Sequence, residues 1–484
     1  MNIKSTIVRT LSFVSLLLVA QAEETKPNVL FIFSDDQVYE AIGAYGLIDI
    51  DTPNLDRLAN EGTSFSKAYN MGAWTGAICR ASRSSMNSGR FIWQAEAASQ
   101  AIGKGELQSW SQLMAERGYE TYMSGKWHVP EVSVPKVFDH TGTVRGGMPK
   151  QTPSGYNRPK NAVDYEKGWK PWDTSKGGYW LGGKHWSEVL ADEGVGFIEM
   201  AAKKERPFFM YLAFNAPHDP RQAPKEYIDR YPLERIQVPE NFVPQYADQG
   251  NKGVPIIRDE KLMPFPRTEY AVKVNRQEYY ALITHMDEQI GRILAALDAS
   301  GKADNTWIIF TSDHGLSLGH HGLVGKQNMY EDAMAAPFIV WGPGVKSGQK
   351  LDTPIYIQDA MATALDIGGE VPEGIDFKSV LPLLNGSSEQ IHDSIYGAYI
   401  DTQRMLLQDG WKLIAYPKLK KVKLFNLEKD PQEMHDLSQN PEYAERLQMM
   451  IQSLEERMDS LGDPMESLSK ANYPKKKKKK VEDH

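Results

Sequence analysis

Pro27-Asn28-Val29-Leu30-Phe31-Ile32-Phe33 is a nearly continuous apolar run that ends in Ser34-Asp35-Asp36. Apolar residues at successive positions, rather than at every second one, predict a strand buried on both faces, as in the middle of a parallel sheet. Thr52-Pro53 through Glu61-Gly62 opens on threonine and proline and closes on glycine, which predicts a short helix. The same grammar recurs three times. A predicted helix over Ser109–Arg117 leads to a strand over Glu120–Met123 and then Gly125-Lys126-Trp127-His128. A helix over Ser187–Lys204 leads to a strand over Pro207–Phe214 and then Asn215-Ala216-Pro217-His218. A long helix over about Arg276–Ala299 has Ile283, Met286, Ile290, Ile293, Leu294 and Leu297 spaced by three and four, the mark of one buried face. It leads to a strand over Thr306–Thr311 and then Ser312-Asp313-His314-Gly315.

Alternating helices and apolar strands predict an α/β fold, a doubly wound and largely parallel sheet, over residues 23–385. Such sheets bind ligands beyond the carboxyl ends of their strands. Here those ends carry Asp35/Asp36, Lys126/His128, His218 and Asp313/His314, so an active site is expected there. From about Pro130 to Lys184 the periodicity disappears and glycine, tryptophan and tyrosine dominate, which predicts a surface insertion beside the site. A second break at Asn385-Gly386-Ser387-Ser388 precedes short apolar segments at Ser394–Tyr399, Arg404–Leu407 and Trp411–Tyr416 and a helical pattern over Pro441–Leu461. They predict a smaller C-terminal α+β subdomain over residues 386–466, followed by a tail, 467–484, with the solvated charge run Lys475–Lys480.

Charge narrows the function classes. Asp and Glu number 63 against 55 Lys and Arg, a net −8 over the 484 residues, and without the terminal lysine run the remainder carries −14. An acidic body argues against a nucleic-acid partner, which needs a clustered basic surface. Leu11–Ala20, preceded by Lys4 and Arg9 and closed by Ala20-Gln21-Ala22, reads as a signal peptide over residues 1–22, too short to span a bilayer. The expectation is export, to the periplasm or beyond, with no transmembrane segment. In that oxidising setting the single cysteine, Cys79, has no internal partner. It is a buried small hydrophobe, an intermolecular bridge or a residue that does chemistry.

Cys79 stands in Cys79-Arg80-Ala81-Ser82-Arg83, followed by Ser88-Gly89-Arg90, where a helix could begin just after the thiol. A helix N-terminus favours an anionic nucleophile or substrate, and Arg83 adds a cation one turn on. With these residues the chain resembles the type I sulfatases of the alkaline phosphatase superfamily. Asp35-Asp36-Gln37, Gly125-Lys126-Trp127-His128, Pro217-His218-Asp219-Pro220, and Ser312-Asp313-His314-Gly315 with Gly325-Lys326 follow in that family's order. The resemblance implies that a maturation enzyme converts Cys79 to formylglycine, whose hydrate is the nucleophile. It implies a divalent cation, Ca2+ or else Mg2+, held by Asp35, Asp36, Asp313, His314 and the group at position 79. Carboxylate oxygens suit such hard cations. It also places Arg83, Lys126 and Lys326 around the sulfate, His128 at collapse of the hemiacetal, and His218 at protonation of the leaving alcohol. His321 falls where the family often has a histidine before glycine.

Four residues depart from the family pattern: Arg80 where a small residue is usual, Ala81 where proline is commoner, His320 where an acid is common, and His314 where asparagine is commoner, a histidine there occurring in the iduronate-sulfatase-like branch. The substrate expected is a sulfated carbohydrate, with Trp172, Trp180 and Arg158 of the insertion as sugar contacts. Rival readings on the same fold are a phosphatase or phosphonate monoester hydrolase and a choline or aryl sulfatase. A rival of another class is a cation-dependent glycan-binding protein in which Cys79 stays a thiol.

Overall fold

The computed structural model describes residues 26–150, 155, 159–250, 252–465 and 468. The expected signal peptide, Arg158 and the run Lys475–Lys480 lie outside them.

Two sheets organise the chain. The larger is built from β1 (Asn28–Ser34), β2 (Thr63–Tyr69), β4 (Glu120–Lys126), β5 (His140–Arg145), β6 (Phe208–Ala213), β7 (Thr306–Ser312), β8 (Ala335–Trp341), β9 (Gln349–Leu351) and β10 (Ile355–Tyr356), β3 (Gly72–Ala73) belonging to the other. Its order is β10-β2-β8-β7-β1-β6-β4-β5, with β9 beside β2. β8 alone runs against its neighbours, so the sheet is largely parallel, as expected. The all-apolar run of β1 has its reason here. Leu30 and Ile32 enter the core on one face, and Val29, Phe31 and Phe33 enter the core on the other. Each such side chain contributes about 1.5–3 kcal/mol through burial.

The second sheet, order β14-β13-β12-β11-β3, is formed by β11 (Ile395–Tyr399), β12 (Gln403–Gln408), β13 (Trp411–Tyr416), β14 (Lys421–Asn426) and β3. It shares a core with Leu447, Met450, Ile451, Leu454 and Met458 of the helix Ala444–Leu461. β3 comes from the segment just before Cys79 and pairs in parallel with β11, so the C-terminal sheet reaches the site through the backbone.

Four elements differ from the sequence reading. The insertion holds a strand, β5, which its polar sequence His140-Thr141-Gly142-Thr143-Val144-Arg145 does not announce; it is an edge strand, bonded only to β4 and partly exposed along its length. The long helix begins at Glu269 rather than Arg276, because the Thr268 side chain caps it and Val272 packs on Leu262, Met263 and Val324. The helix carrying Cys79 begins at Ile78, which puts the thiol inside the first turn. β14, a fourth C-terminal strand, is interrupted by lysines that leave the sheet edge.

Neighbouring strands β7, β1, β6 and β4 bring together the four polar strand ends. Ser34 is in register with Ser312, Phe33 with Ala213, and Ala213 with Gly125. Gly125 is required at that position: a Cβ there would lie 1.9 Å from the Ala213 carbonyl oxygen.

Candidate functional site

Four helices follow one another in the first part of the chain: α1 (Pro53–Glu61), α2 (Ile78–Ser88), α3 (Ile92–Lys104) and α4 (Trp110–Glu116). α2 presents Cys79 to the strand ends from its first turn, where no side chain caps the helix. The ligand atoms of Asp35, Asp36, Cys79, Asp313 and His314, all buried, lie within 4.8 Å of one another. Asp36 has a left-handed φ of 68°, a conformation that costs about 1–3 kcal/mol for a non-glycine residue. The turn is pinned against that cost: the Asp36 N–H donates to Asp313 Oδ1 at 3.1 Å, Gln37 N–H to Ser312 Oγ at 2.9 Å, and Val38 N–H to the Tyr279 hydroxyl at 2.9 Å.

The donor set fits a divalent cation. His314 Nδ1 lies 2.8 Å from the Gly315 carbonyl oxygen, and Nε2 faces Asp36 Oδ1 at 3.1 Å and Asp313 Oδ1 at 3.3 Å. Against burial, Asp313 raises the imidazole pKa, so without a metal Nε2 holds a proton towards these carboxylates; a divalent cation would take that proton's place between them. Asp35 Oδ1 is buried without a hydrogen-bond partner. Burial pushes the Asp35 carboxyl well up, against the pull of Lys126, with Asp313 and Cys79 adding to the rise. A bound cation would reverse that balance.

Cations surround the cluster. Lys326 Nζ donates to Asp36 Oδ1 at 2.7 Å and to Cys79 Sγ at 3.2 Å, and His314 Nε2 lies 3.2 Å from the same sulfur. Burial alone would raise the Cys79 thiol, but Lys126, Lys326 and His314 outweigh it and hold the thiol well below its ordinary value. Lys126 Nζ pairs with Asp35, and Arg83 donates to Asp313 Oδ2 at 3.0 Å and to the carbonyls of Lys126 and Ser34 at 3.0 and 3.3 Å. Arg83 and Lys126 are fully buried and orient the carboxylates from behind.

A pocket of about 480 Å³ opens over this cluster, lined by Cys79, His128, His218 and Lys326, by Gly76, Ala77, Gly147 and Met148, and by Ile257, Arg258, Asp259 and Gln327. His218 Nδ1 is 2.9 Å from both the Asp219 backbone oxygen and Asp219 Oδ1, and its Nε2 is 3.8 Å from Asp36 Oδ2. Burial disfavours the imidazolium, yet Asp36, with Asp219 and Asp35 in support, raises its pKa to about 10. His128 is half-buried, and burial, with Lys126 and Arg83, lowers its pKa. The two histidines are therefore set apart, one holding a proton and one able to take it.

The sequence reading missed Met148, Ile257, Arg258, Asp259 and Gln327, which come from irregular segments without motif or period. Arg258 donates to Asp219 Oδ1 at 3.2 Å and to Asp259 Oδ1 at 3.0 Å. Tyr179 of the insertion also escaped it; its hydroxyl donates to the carbonyls of Asn215 and His218 and so buttresses the His218 loop. The expected sugar contacts lie elsewhere. Trp172 packs against the large core between Lys170 and Lys225, and Trp180 meets the edge of His185 with ring centroids 5.0 Å apart. His321 stacks on Tyr330 at 3.8 Å and contacts Asn241, and neither it nor the two tryptophans lines the pocket.

Comparison with known proteins agrees with this geometry. The family described as Sulfatase matches residues 27–370, and the family described as N-sulphoglucosamine sulphohydrolase, C-terminal, matches residues 319–460. An arylsulfatase of Clostridium perfringens is 28% identical over 90% of this chain and 96% of its own. An N-acetylglucosamine-6-O-sulfatase of Bacteroides thetaiotaomicron is 27% identical over 95% of this chain and 91% of its own. A structure solved in complex with its substrate, D-glucosamine-2-N,6-O-disulfate, shares the fold with a TM-score of 0.70 and 24% identity, over 91% of this chain and 99% of that one. With the family match covering most of the chain and the strand-end cluster assembled as that family's motifs imply, the chain belongs to the type I sulfatases of the alkaline phosphatase superfamily and is a sulfuric ester hydrolase.

Proposed function

We propose that this enzyme is exported and hydrolyses a sulfate ester on a carbohydrate, at or near a chain end, using Ca2+ and a formylglycine at position 79. The observation that carries the reading is the placement of Cys79 Sγ, 3.2 Å from both His314 Nε2 and Lys326 Nζ, at the floor of a pocket walled by His128 and His218. The sulfur stands where the oxygens of the formylglycine hydrate would be. Three carboxylates favour a hard divalent ion, with Mg2+ as the other candidate, and the imidazole of His314 is the one softer donor in the set. The cation would supply Lewis-acid charge next to the sulfuryl oxygens, and the formylglycine hydrate would supply the nucleophile.

The chain's own residues have distinct parts. Asp35, Asp36, Asp313 and His314 hold the cation, Lys126 and Arg83 fix Asp35 and Asp313, and Lys326 offsets charge on the group at position 79. His218 delivers a proton to the leaving alcohol from Nε2, its Nδ1 anchored on Asp219. His128, whose pKa is lowered, accepts the proton that must leave before sulfate is released. A pocket closed below and open above admits chain termini more readily than chain middles. The glucosamine-based names among the relatives favour an amino-sugar sulfate as the first substrate to try.

Two measurements test the reading. Mass spectrometry of the peptide containing residue 79 should show the aldehyde or its hydrate in proportion to specific activity. A desulfation screen over defined sulfated oligosaccharides, with choline sulfate and an aryl sulfate alongside, should give the highest kcat/KM on a saccharide. Full activity with unmodified Cys79, or a clear preference for choline sulfate, overturns it.

A further inference from the structure

We propose that the ion pair between Arg80 and Glu131 positions His128 against the nucleophile. The inference rests on the part given to His128 above. Arg80, the unusual residue directly after Cys79, turns its Nη2 towards Glu131 and towards Glu96 Oε1 of α3, the latter at 2.8 Å. The Arg80 side chain is 25% exposed and that of Glu131 17%. Glu131 Oε2 and Arg80 Nε are buried without hydrogen-bond partners, so the Glu131 carboxylate is held through Oε1 and the guanidinium through Nη2, which it shares with Glu96. A half-buried pair of this kind is screened less than a fully exposed one.

Glu131 is three residues beyond His128, in a turn whose shape decides where the imidazole sits. His128 has a left-handed φ of 57°, and its Nδ1 is buried with no hydrogen-bond partner. The ring's polar side-chain contact is with the nucleophile position, Cys79, itself, so the turn's backbone decides how the ring is presented to it. The turn is held at Trp127, whose Nε1 donates to the Val132 carbonyl at 2.9 Å, and by Val132 N–H on the Val129 carbonyl at 3.1 Å. It presses on α3 so closely that a Cβ at Gly103 would lie 2.1 Å from the Glu131 carbonyl oxygen. On the pocket side the ring leaves no room for a side chain at residue 147, where a Cβ would meet it at 2.6 Å. Glu131 is then the charged tether between this turn and the residue that follows Cys79. Glu96 draws on the same guanidinium from a helix that does not carry His128, and so provides the internal control.

The experiment measures kcat and KM for wild type, Glu131→Gln, Glu96→Gln, His128→Ala and the double variant His128→Ala/Glu131→Gln. Rates are normalised to formylglycine content at position 79, and unfolding midpoints are recorded for each. Glu131 lies outside the Cys79–Arg83 motif, so maturation is expected to proceed in its variants. Glu131→Gln should lower kcat by roughly 10- to 100-fold with KM little changed, the scale of a small misplacement of a catalytic group. Glu96→Gln should stay within about twofold of wild type. In the His128→Ala background, Glu131→Gln should cost nothing further, since the group it positions is gone. A Glu131→Gln effect of equal size in both backgrounds, or equal effects of the Glu131 and Glu96 variants, overturns the inference while leaving the catalytic part of His128 intact. A wild-type kcat in His128→Ala instead overturns that part, and the inference with it.

Discussion

At the floor of the pocket Lys126 meets Asp35, Lys326 meets Asp36 and Arg83 meets Asp313, all of them buried. At the mouth, Met148, Ile257 and Arg258 are only partly covered and come from segments without regular structure. The floor gains its order from four adjacent strand ends whose register is fixed by a core on both faces. The mouth gains its shape from loops, which can change without disturbing the sheet. Under the proposed function, catalysis belongs to the first arrangement and the choice of substrate to the second, so substitutions in the two regions should differ in kind as well as in size.

The largest effect is expected at Asp36, which contacts Lys326, His314 and the Asp313 side chain through its backbone or carboxylate. Asp36→Ala should abolish stoichiometric metal binding and lower kcat by more than ~10³-fold on every sulfate ester tried. Breaking a buried pair from one side costs about 3–5 kcal/mol, so the variant should also unfold earlier. Asp36→Asn keeps the volume but also leaves Lys326 without its counter-charge, so metal content and rate should collapse as in Asp36→Ala while the unfolding midpoint recovers only in part. Retention of both metal and rate would mean that the carboxylates at this strand end are structural.

His218 comes next and lies on the border between the regions. His218→Ala should cost ~10²- to 10⁴-fold on a sugar sulfate, whose alkoxide leaving group needs a proton. The cost should be much smaller on an aryl sulfate, since a phenolate departs without one. Equal losses on the two substrates would deny His218 the acid's part.

The same division explains what could be read from the sequence. Asp35-Asp36, Lys126-Trp127-His128, His218 and Asp313-His314 each follow an apolar run that the sheet buries, so pattern and chemistry coincide at one place in the chain. Ile257 and Arg258 precede a short 3-10 turn, Asp259–Leu262, and Asp259 opens it; neither period nor motif marks them, and they join the site only through tertiary packing. β5 escaped notice because an edge strand is not obliged to be apolar on both faces. Tyr179 could be seen as part of an aromatic-rich insertion, yet its bond to the His218 carbonyl depends on a fold of that insertion which no local signal encodes.

Substitutions at the mouth should be milder and selective. Ile257→Ala or Met148→Ala should lower kcat/KM on the preferred saccharide by ~10-fold or more, the usual range for a lost apolar contact in a pocket. An aryl sulfate, too small to use both walls, should lose less, because binding energy remote from sulfur matters only to a substrate that reaches it. Parallel losses on both would place these side chains in the support of the floor.

The smallest effect on catalysis is expected at Trp172, and it bears on where the specificity of the insertion comes from. Its ring is partly buried against the large core, with Lys170 Nζ 5.7 Å and Lys225 Nζ 5.3 Å from its centroid, and it is not part of the pocket wall. Replacement by alanine removes packing and two weak cation–π contacts, and should lower the unfolding midpoint by a few degrees. Turnover of saccharide and aryl sulfate should fall together and by no more than about twofold, since the ring does not line the pocket. A loss confined to the saccharide would instead show that longer substrates extend beyond the pocket onto the insertion, and would move the boundary between floor and mouth outward to include Trp172.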